Sequence, residues 1–227
     1  MNTFLRQRGM SLISMMIGLL ISMLCVLACF TAYKNLVHIS ADNKVFSAYD
    51  GKLALAMNVL EKSVQAAGFG IADAGSDDIR VITNGTTRQL LWRYQDTASG
   101  TYLCRGFEET SVAESGENYR EMRITDAAGT CSAEGDLAAM TWNVRNIIAR
   151  WQLGDNELTD YITDNGAVFA LSVTEAECLP FGAAIADSSE KHLLLTITAP
   201  NAARLFNPAV PELNNQICLS NFYPDAS

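Results

Sequence analysis

Few residues in this 227-residue chain are equipped for covalent or acid–base chemistry: six cysteines and two histidines. Cys104, Cys131, Cys178 and Cys218 all follow the apolar N-terminal region. An even number of thiols in an oxidising compartment reads as a disulfide framework. Four cysteines allow three connectivities, of which Cys104–Cys131 with Cys178–Cys218 pairs sequence neighbours. Each such bridge closes a loop of roughly 30 to 40 residues and stabilises by about 2–4 kcal/mol. Zinc is the rival, but it calls for ligands at close spacing and the chain has no Cys-x-x-Cys. Cys25 and Cys29 lie four apart inside the apolar stretch, where thiols act as small apolar side chains.

The remaining titratable groups make no recognisable catalytic pattern. His38 falls just past the apolar stretch, and His192 opens a strand-like run, where a partly buried structural role is expected. Glu108 and Glu109 point to opposite faces if their segment is a strand, which is poor geometry for shared acid–base work. Asp155, Asn156, Glu157, Asp160 and Asp164 are rich in oxygen ligands, yet their spacing fits no EF-hand loop and a solvated acidic turn is the reading. There is no Gly-x-Ser-x-Gly, no His-Glu-x-x-His and no phosphate-binding glycine loop. No catalytic residue, metal or cofactor is therefore expected, and the role read here is structural rather than enzymatic.

Charge narrows the partners. The formal net charge is −9, with 16 basic and 25 acidic residues. Residues 1–41 hold Arg6, Arg8 and Lys34 and no acid, which leaves 13 basic against all 25 acidic residues in the remainder, a balance of −12. A surface that acidic repels phosphate backbones, so no direct nucleic-acid partner is expected.

The elements that carry these residues begin with an apolar run. Met10 to Tyr33 is free of charge, and as a helix it measures about 36 Å, enough to cross a hydrocarbon core of about 30 Å. Arg6 and Arg8 before it favour a cytoplasmic N-terminus. A plain signal anchor or a cleaved secretory signal competes with this reading, although a cleaved signal's apolar region is typically 7–15 residues. Val26-Leu27-Ala28-Cys29 loosely resembles a lipobox; Leu27 fits poorly and the apolar run continues through Phe30.

Beyond the run no proline occurs from Lys34 to Ala67, and Phe46, Tyr49, Leu53, Met57, Leu60 and Val64 recur at three- and four-residue steps. That is one apolar stripe on a helix. Gly68 is the expected stop, and Gly18 and Gly51 are points where the helix could bend. After a Gly- and Asp-rich connection, strands are expected at Gln89–Gln95, Thr101–Phe107, Tyr119–Thr125, Met140–Val144, Ile147–Leu153, Ala167–Val173 and His192–Ala199. Hairpin connections are expected at Thr97–Gly100 and Gly154–Asn156. The sum is an α+β arrangement, an antiparallel sheet packed on the second half of a long helix.

The junction Arg6-Gln7-Arg8-Gly9-Met10-Ser11-Leu12-Ile13 resembles the class III leader of type IV prepilins, a short basic peptide ending in Gly directly before the apolar helix. Leu60-Glu61-Lys62-Ser63-Val64-Gln65-Ala66-Ala67-Gly68-Phe69-Gly70 resembles the end of the long helix in PilW-like minor pilins. Val144-Arg145-Asn146-Ile147-Ile148-Ala149-Arg150-Trp151-Gln152-Leu153-Gly154-Asp155 is more weakly similar to that family's strand and turn before an acidic loop. J-type pseudopilins of type II secretion share the architecture.

The resemblance implies residues 1–9 as a leader, 10–33 as a transmembrane helix, 34–67 as its amphipathic continuation and 68–227 as a β-rich periplasmic domain. It implies cutting after Gly9 by a prepilin peptidase and methylation of the new amine on Met10. The partners implied are other minor pilins, the major pilin, the inner-membrane assembly platform and membrane lipid, in a pilus serving adhesion and twitching motility. Two departures stand out. The mature chain usually begins with Phe, here Met10, and its fifth residue is usually Glu, here Ser14. That Glu is thought to pair with a neighbouring subunit's terminal ammonium, and an unpaired carboxylate in lipid is costly. Ser14 fits either a tip or initiation position or drift at a tolerant site. A pseudopilin, a tip adhesin and a signal-anchored envelope enzyme remain alternatives.

Overall fold

The computed structural model describes residues 12–154, 162, 166–178 and 191–222. Two compact units are present, Met1–Ser47 and Ala48–Ser227. Helix α1, Leu12–Val64, is 53 residues long, and both Gly18 and Gly51 lie within it. An uninterrupted run of helix formers without proline accounts for its length. Its residues in the second unit bury one face: Tyr49, Leu53, Ala56, Met57, Leu60 and Val64. Phe46 of the expected stripe is half-buried, and Asp42, Lys44, Lys52 and Lys62 stay exposed.

The α-helix ends before the expected Ala67, and turns carry the chain through Gly68. Gly68 adopts φ +72°, and its N–H donates to Arg93 O at 2.9 Å. A side chain there would meet Phe222, Ala74 and Asn221 at 3.1–3.2 Å, so both conformation and space call for glycine.

Eight strands follow among the described residues. β1 (Ile79–Asn84), β2 (Thr87–Asp96), β3 (Thr101–Glu114), β4 (Glu117–Ala127) and β5 (Trp142–Gln152) form an antiparallel meander in chain order. β6 (Ala170–Glu177), β7 (Lys191–Ala199) and β8 (Leu213–Leu219) form a second antiparallel sheet. A short helix α2 (Ala202–Phe206) joins β7 to β8, capped by the Asn201 side chain, which accepts from Arg204 N at 2.8 Å. The molecule is α+β: the long helix packs against antiparallel sheets.

Where the strands differ from expectation, the ladder explains why. Met140–Val144 and Ile147–Leu153 are not two strands but one, β5, whose register against β4 shifts between Met122 and Arg123 and again between Ile124 and Thr125. Each irregularity inserts a residue and breaks the alternation that a strand shows in sequence. β1 and β8 were not expected. β1 is held by the tight Gly85-Thr86 connection to β2, and β8 is a polar run, Asn214-Asn215-Gln216, paired to β7. The Thr97–Gly100 connection is a hairpin turn as expected, with Gly100 N donating to Asp96 O at 2.7 Å and the Asp96 carboxylate accepting from Ala98 N and Ser99 Oγ. Gly154 turns with φ +79°, while Asp155 and Asn156 lie outside the described residues.

The two faces of the five-stranded sheet are covered differently. Register places Leu90 and Trp92 of β2, Phe107 and Glu109 of β3, Arg120, Met122 and Ile124 of β4 and Ala149 and Trp151 of β5 on one face. Tyr49 of α1 meets Trp151 there, ring centroids 5.7 Å apart, and its hydroxyl donates to Pro200 O. Lys52 lies over the same indole and donates to Arg150 O. Ala202 N donates to Asp50 Oδ1 and Asn215 Nδ2 donates to Glu61 Oε2, which ties α1 to the β7–β8 connection and to β8. The opposite face carries Leu91 and Cys104, packed with Leu137 from the β4–β5 connection.

Candidate functional site

Of the residues on which the leader resemblance rests, Gly9 and Met10 lie outside the described residues, as do the acidic group Asp155, Asn156, Glu157, Asp160 and Asp164. Ser14 sits on α1, exposed. Around it the helix presents apolar side chains over most of its circumference: Leu12, Ile13, Met15, Ile17, Leu19 and Ile21 are each more than half exposed. α1 is long and apolar enough to cross a membrane. In water such a surface is unfavourable, at roughly 25 cal/mol for each Å² left wet, whereas in hydrocarbon it is matched. The backbone groups are bonded within the helix, the condition for spanning a bilayer. Thr31 meets the same condition, its hydroxyl donating to Ala28 O at 2.8 Å. Cys25 and Cys29 are free thiols exposed on this segment.

The four later cysteines form two bridges, Cys104–Cys131 and Cys178–Cys218. The first ties β3 to the long β4–β5 connection, and Cys131 lies beside the Leu91–Cys104–Leu137 cluster. The second joins the end of β6 to β8, across the central strand β7. His192 is buried on β7 with Nδ1 3.0 Å from Phe222 O, the structural position anticipated for it; His38 is exposed on α1.

Glu108 and Glu109 do point apart, and they do different work. Glu108 accepts from Arg123 Nε and Gln89 Nε2, both at 2.7 Å. Glu109 is fully buried beneath the chain leading into β6, where it accepts from Val168 N and, at 2.8 Å, from Phe169 N. Arg120 lies beside it, Nε 3.7 Å from Oε1, and donates to Thr86 O at 3.0 Å and to Gly166 O at 2.7 Å. Burial pushes the Glu109 carboxyl up to about 7, against the pull of the Phe169 and Val168 N–H groups and of the Arg120 and Arg88 guanidiniums. Burial likewise lowers Arg120 from its ordinary value, with Glu109 opposing.

A second buried arginine serves the other face. Arg93 pairs with Asp78 at 3.0 Å and donates to the carbonyls of Ser132, Ala133 and Gly135 in the β4–β5 connection and to Asp77 O. Neither arginine was singled out from sequence. A buried Arg becomes visible only once strand register shows which loop carbonyls surround it; its spacing along the chain carries no such signal.

Both arrangements pin loops, and each ion pair is surrounded by backbone among the described residues. Among the described residues no group of three or more His, Cys, Asp or Glu is placed to hold a metal. No family model, curated protein or solved structure matches this chain.

Proposed function

We propose that the chain is a type IV pilin-like membrane protein, a PilW-like minor pilin that acts without catalysis. The observation that carries this reading is the division of labour along α1. One unbroken helix is apolar all round over its first part and amphipathic over its last, where it is built into a disulfide-bonded β domain. A signal anchor has no need to continue as the core helix of the domain that follows; a subunit that packs by its helix does. In this reading the basic leader stays cytoplasmic and the domain enters the periplasm, where the disulfides form. Prepilin peptidase removes residues 1–9, and the amine of Met10 is methylated. The processed helix then leaves the inner membrane's lipid for a bundle of pilin helices in the filament, with small residues such as Gly18 and Ser22 permitting close approach. The domain mates with sibling minor pilins and the major pilin at the inner-membrane assembly platform. Ser14, lacking the carboxylate that would pair with a neighbour's terminal ammonium, suits a subunit that initiates or tips the filament.

The test is intact mass of the protein taken from membranes with and without active prepilin peptidase. Loss of residues 1–9 with gain of one methyl group, only when the peptidase is active, is the expected result. An uncut chain defeats the proposal, and a lipid-sized increment on a chain beginning at Cys29 replaces it with a lipoprotein. Deletion of the gene is expected to reduce surface filaments at an unchanged level of major pilin.

A further inference from the structure

At the end of the five-stranded sheet remote from the β3–β4 turn, four strands and the first residues of the β4–β5 connection surround an open cleft of about 680 Å³. Its chemistry is unlike that of the surrounding surface. Arg105 from β3 and Arg145 from β5 both enter it, with one acid, Asp126 of β4, between them. The local balance is therefore positive within a region that is −12 overall beyond residue 41. Asp126 grips the two guanidiniums by different oxygens, Oδ1 to Arg105 Nε at 3.0 Å and Oδ2 to Arg145 Nη1 at 2.9 Å. Among the described residues it is the one acceptor that either finds, so both Nη groups of Arg105 and the Nε and Nη2 of Arg145 remain open to a ligand.

These donors are held in place before anything binds. Arg105 Cζ lies over the Tyr94 ring, 5.6 Å from its centroid, a cation–π contact that helps hold the guanidinium. The Cys104–Cys131 bridge ties β3 to the loop that lines the cleft from Ala128 to Cys131. Tyr94 shares the face of Arg105 and offers half-buried ring surface, and Leu103, opposite it in register, is 41 % exposed. Oriented forks of N–H donors recognise a carboxylate by two parallel bonds, and fixing them beforehand lowers the entropy cost of binding. Aromatic faces next to the fork suit a ring with apolar C–H faces. A protein partner would instead call for a broad, flat contact of about 800 Å² on each side, whereas this is a concavity with room for a few sugar rings.

We infer that this cleft binds the carboxylate of an acidic saccharide, with Arg105 and Arg145 as the ligand-binding residues, Asp126 as the residue that positions them and Tyr94 as the ring platform. The inference stands apart from leader cleavage and filament entry, since it rests on the β domain alone.

Isothermal titration of the full chain in detergent micelles tests it, with a glucuronate-containing disaccharide as probe and its neutral counterpart and a polyglutamate peptide as comparators. The acidic disaccharide is expected to bind and the neutral one to bind at least tenfold more weakly. Arg105→Gln and Arg145→Gln should each weaken binding at least tenfold with the thermal midpoint unchanged. Arg105→Lys should recover only part of the loss, because it restores charge without the fork. Asp126→Asn should weaken binding although it makes the cleft more positive, the signature of a positioning role. No binding of the acidic disaccharide, or binding by either Arg→Gln variant as tight as that of the unaltered chain, overturns the inference. Preference for polyglutamate also overturns it and would make the cleft a protein-docking surface.

Discussion

The two faces of the five-stranded sheet use the same device with different tolerances. On each, a buried arginine gathers loop carbonyls and pairs with one carboxylate: Arg93 with Asp78, Arg120 with Glu109. Asp78 retains some contact with solvent, its side chain 14 % exposed, whereas Glu109 has none. The face over Arg93 also has a covalent tie, the Cys104–Cys131 bridge; the face over Arg120 has only hydrogen bonds and packing, including the Phe107–Phe169 ring contact at 5.5 Å. One face is thus fastened in a way that is indifferent to pH, and the other depends on the protonation of a single carboxyl.

The largest effect should come from breaking the dry pair. Arg120→Met leaves Glu109 buried without its cation, and such removals cost about 3–5 kcal/mol. Urea unfolding of the variant should show that loss above pH 7 and a smaller one at pH 5, where the carboxyl is protonated. An equal loss at both would mean that the carbonyl bonds of Arg120, not its charge, are what count. Removing the bridge with Cys104→Ser and Cys131→Ser together should cost about 3.5 kcal/mol, from a closed loop spanning a sequence separation of 27. Its loss should speed amide exchange in the β4–β5 connection while leaving residues 166–169 protected.

The pH response comes next. Glu109 moves from an ordinary value of 4.5 to about 7 on folding, so the native state holds a proton that the unfolded chain has released. Its contribution is fully present below pH 4.5, declines as pH rises and is gone above about 7, a change of about 3 kcal/mol. Glu109→Gln should flatten that slope, and an unchanged slope would place the titrating group elsewhere. The smallest effect is expected at the surface, where half-buried Arg204 and exposed Glu212 approach to 3.6 Å. Glu212→Gln should change stability by less than about 1 kcal/mol.

Much of this architecture was legible before any coordinates. The apolar run and the stripe from Tyr49 to Val64 follow from side-chain spacing on one helix, a local property. Strands with clean alternation, such as Thr101–Phe107, were visible for the same reason. β5 was split because Arg145 and Ile148, the residues its ladder with β4 skips, break its alternation, and β8 was missed because Asn214-Asn215-Gln216 has no strand character apart from the ladder that recruits it. The opposite orientation of Glu108 and Glu109 could be read from strand geometry. That Glu109 would meet Arg120 and two backbone N–H groups near residue 168 could not, since those contacts span 11 residues in one direction and about 60 in the other. The same holds for the cleft around Asp126, assembled from four strands by register alone.

The two bridges are consecutive along the chain, neither enclosing nor crossing the other. For a polypeptide emerging N-terminus first, Cys131 reaches Cys104 while Cys178 and Cys218 are still behind, and each later thiol finds its partner as the nearest one still reduced. Order of appearance then selects the correct pairing from the three available, without reshuffling.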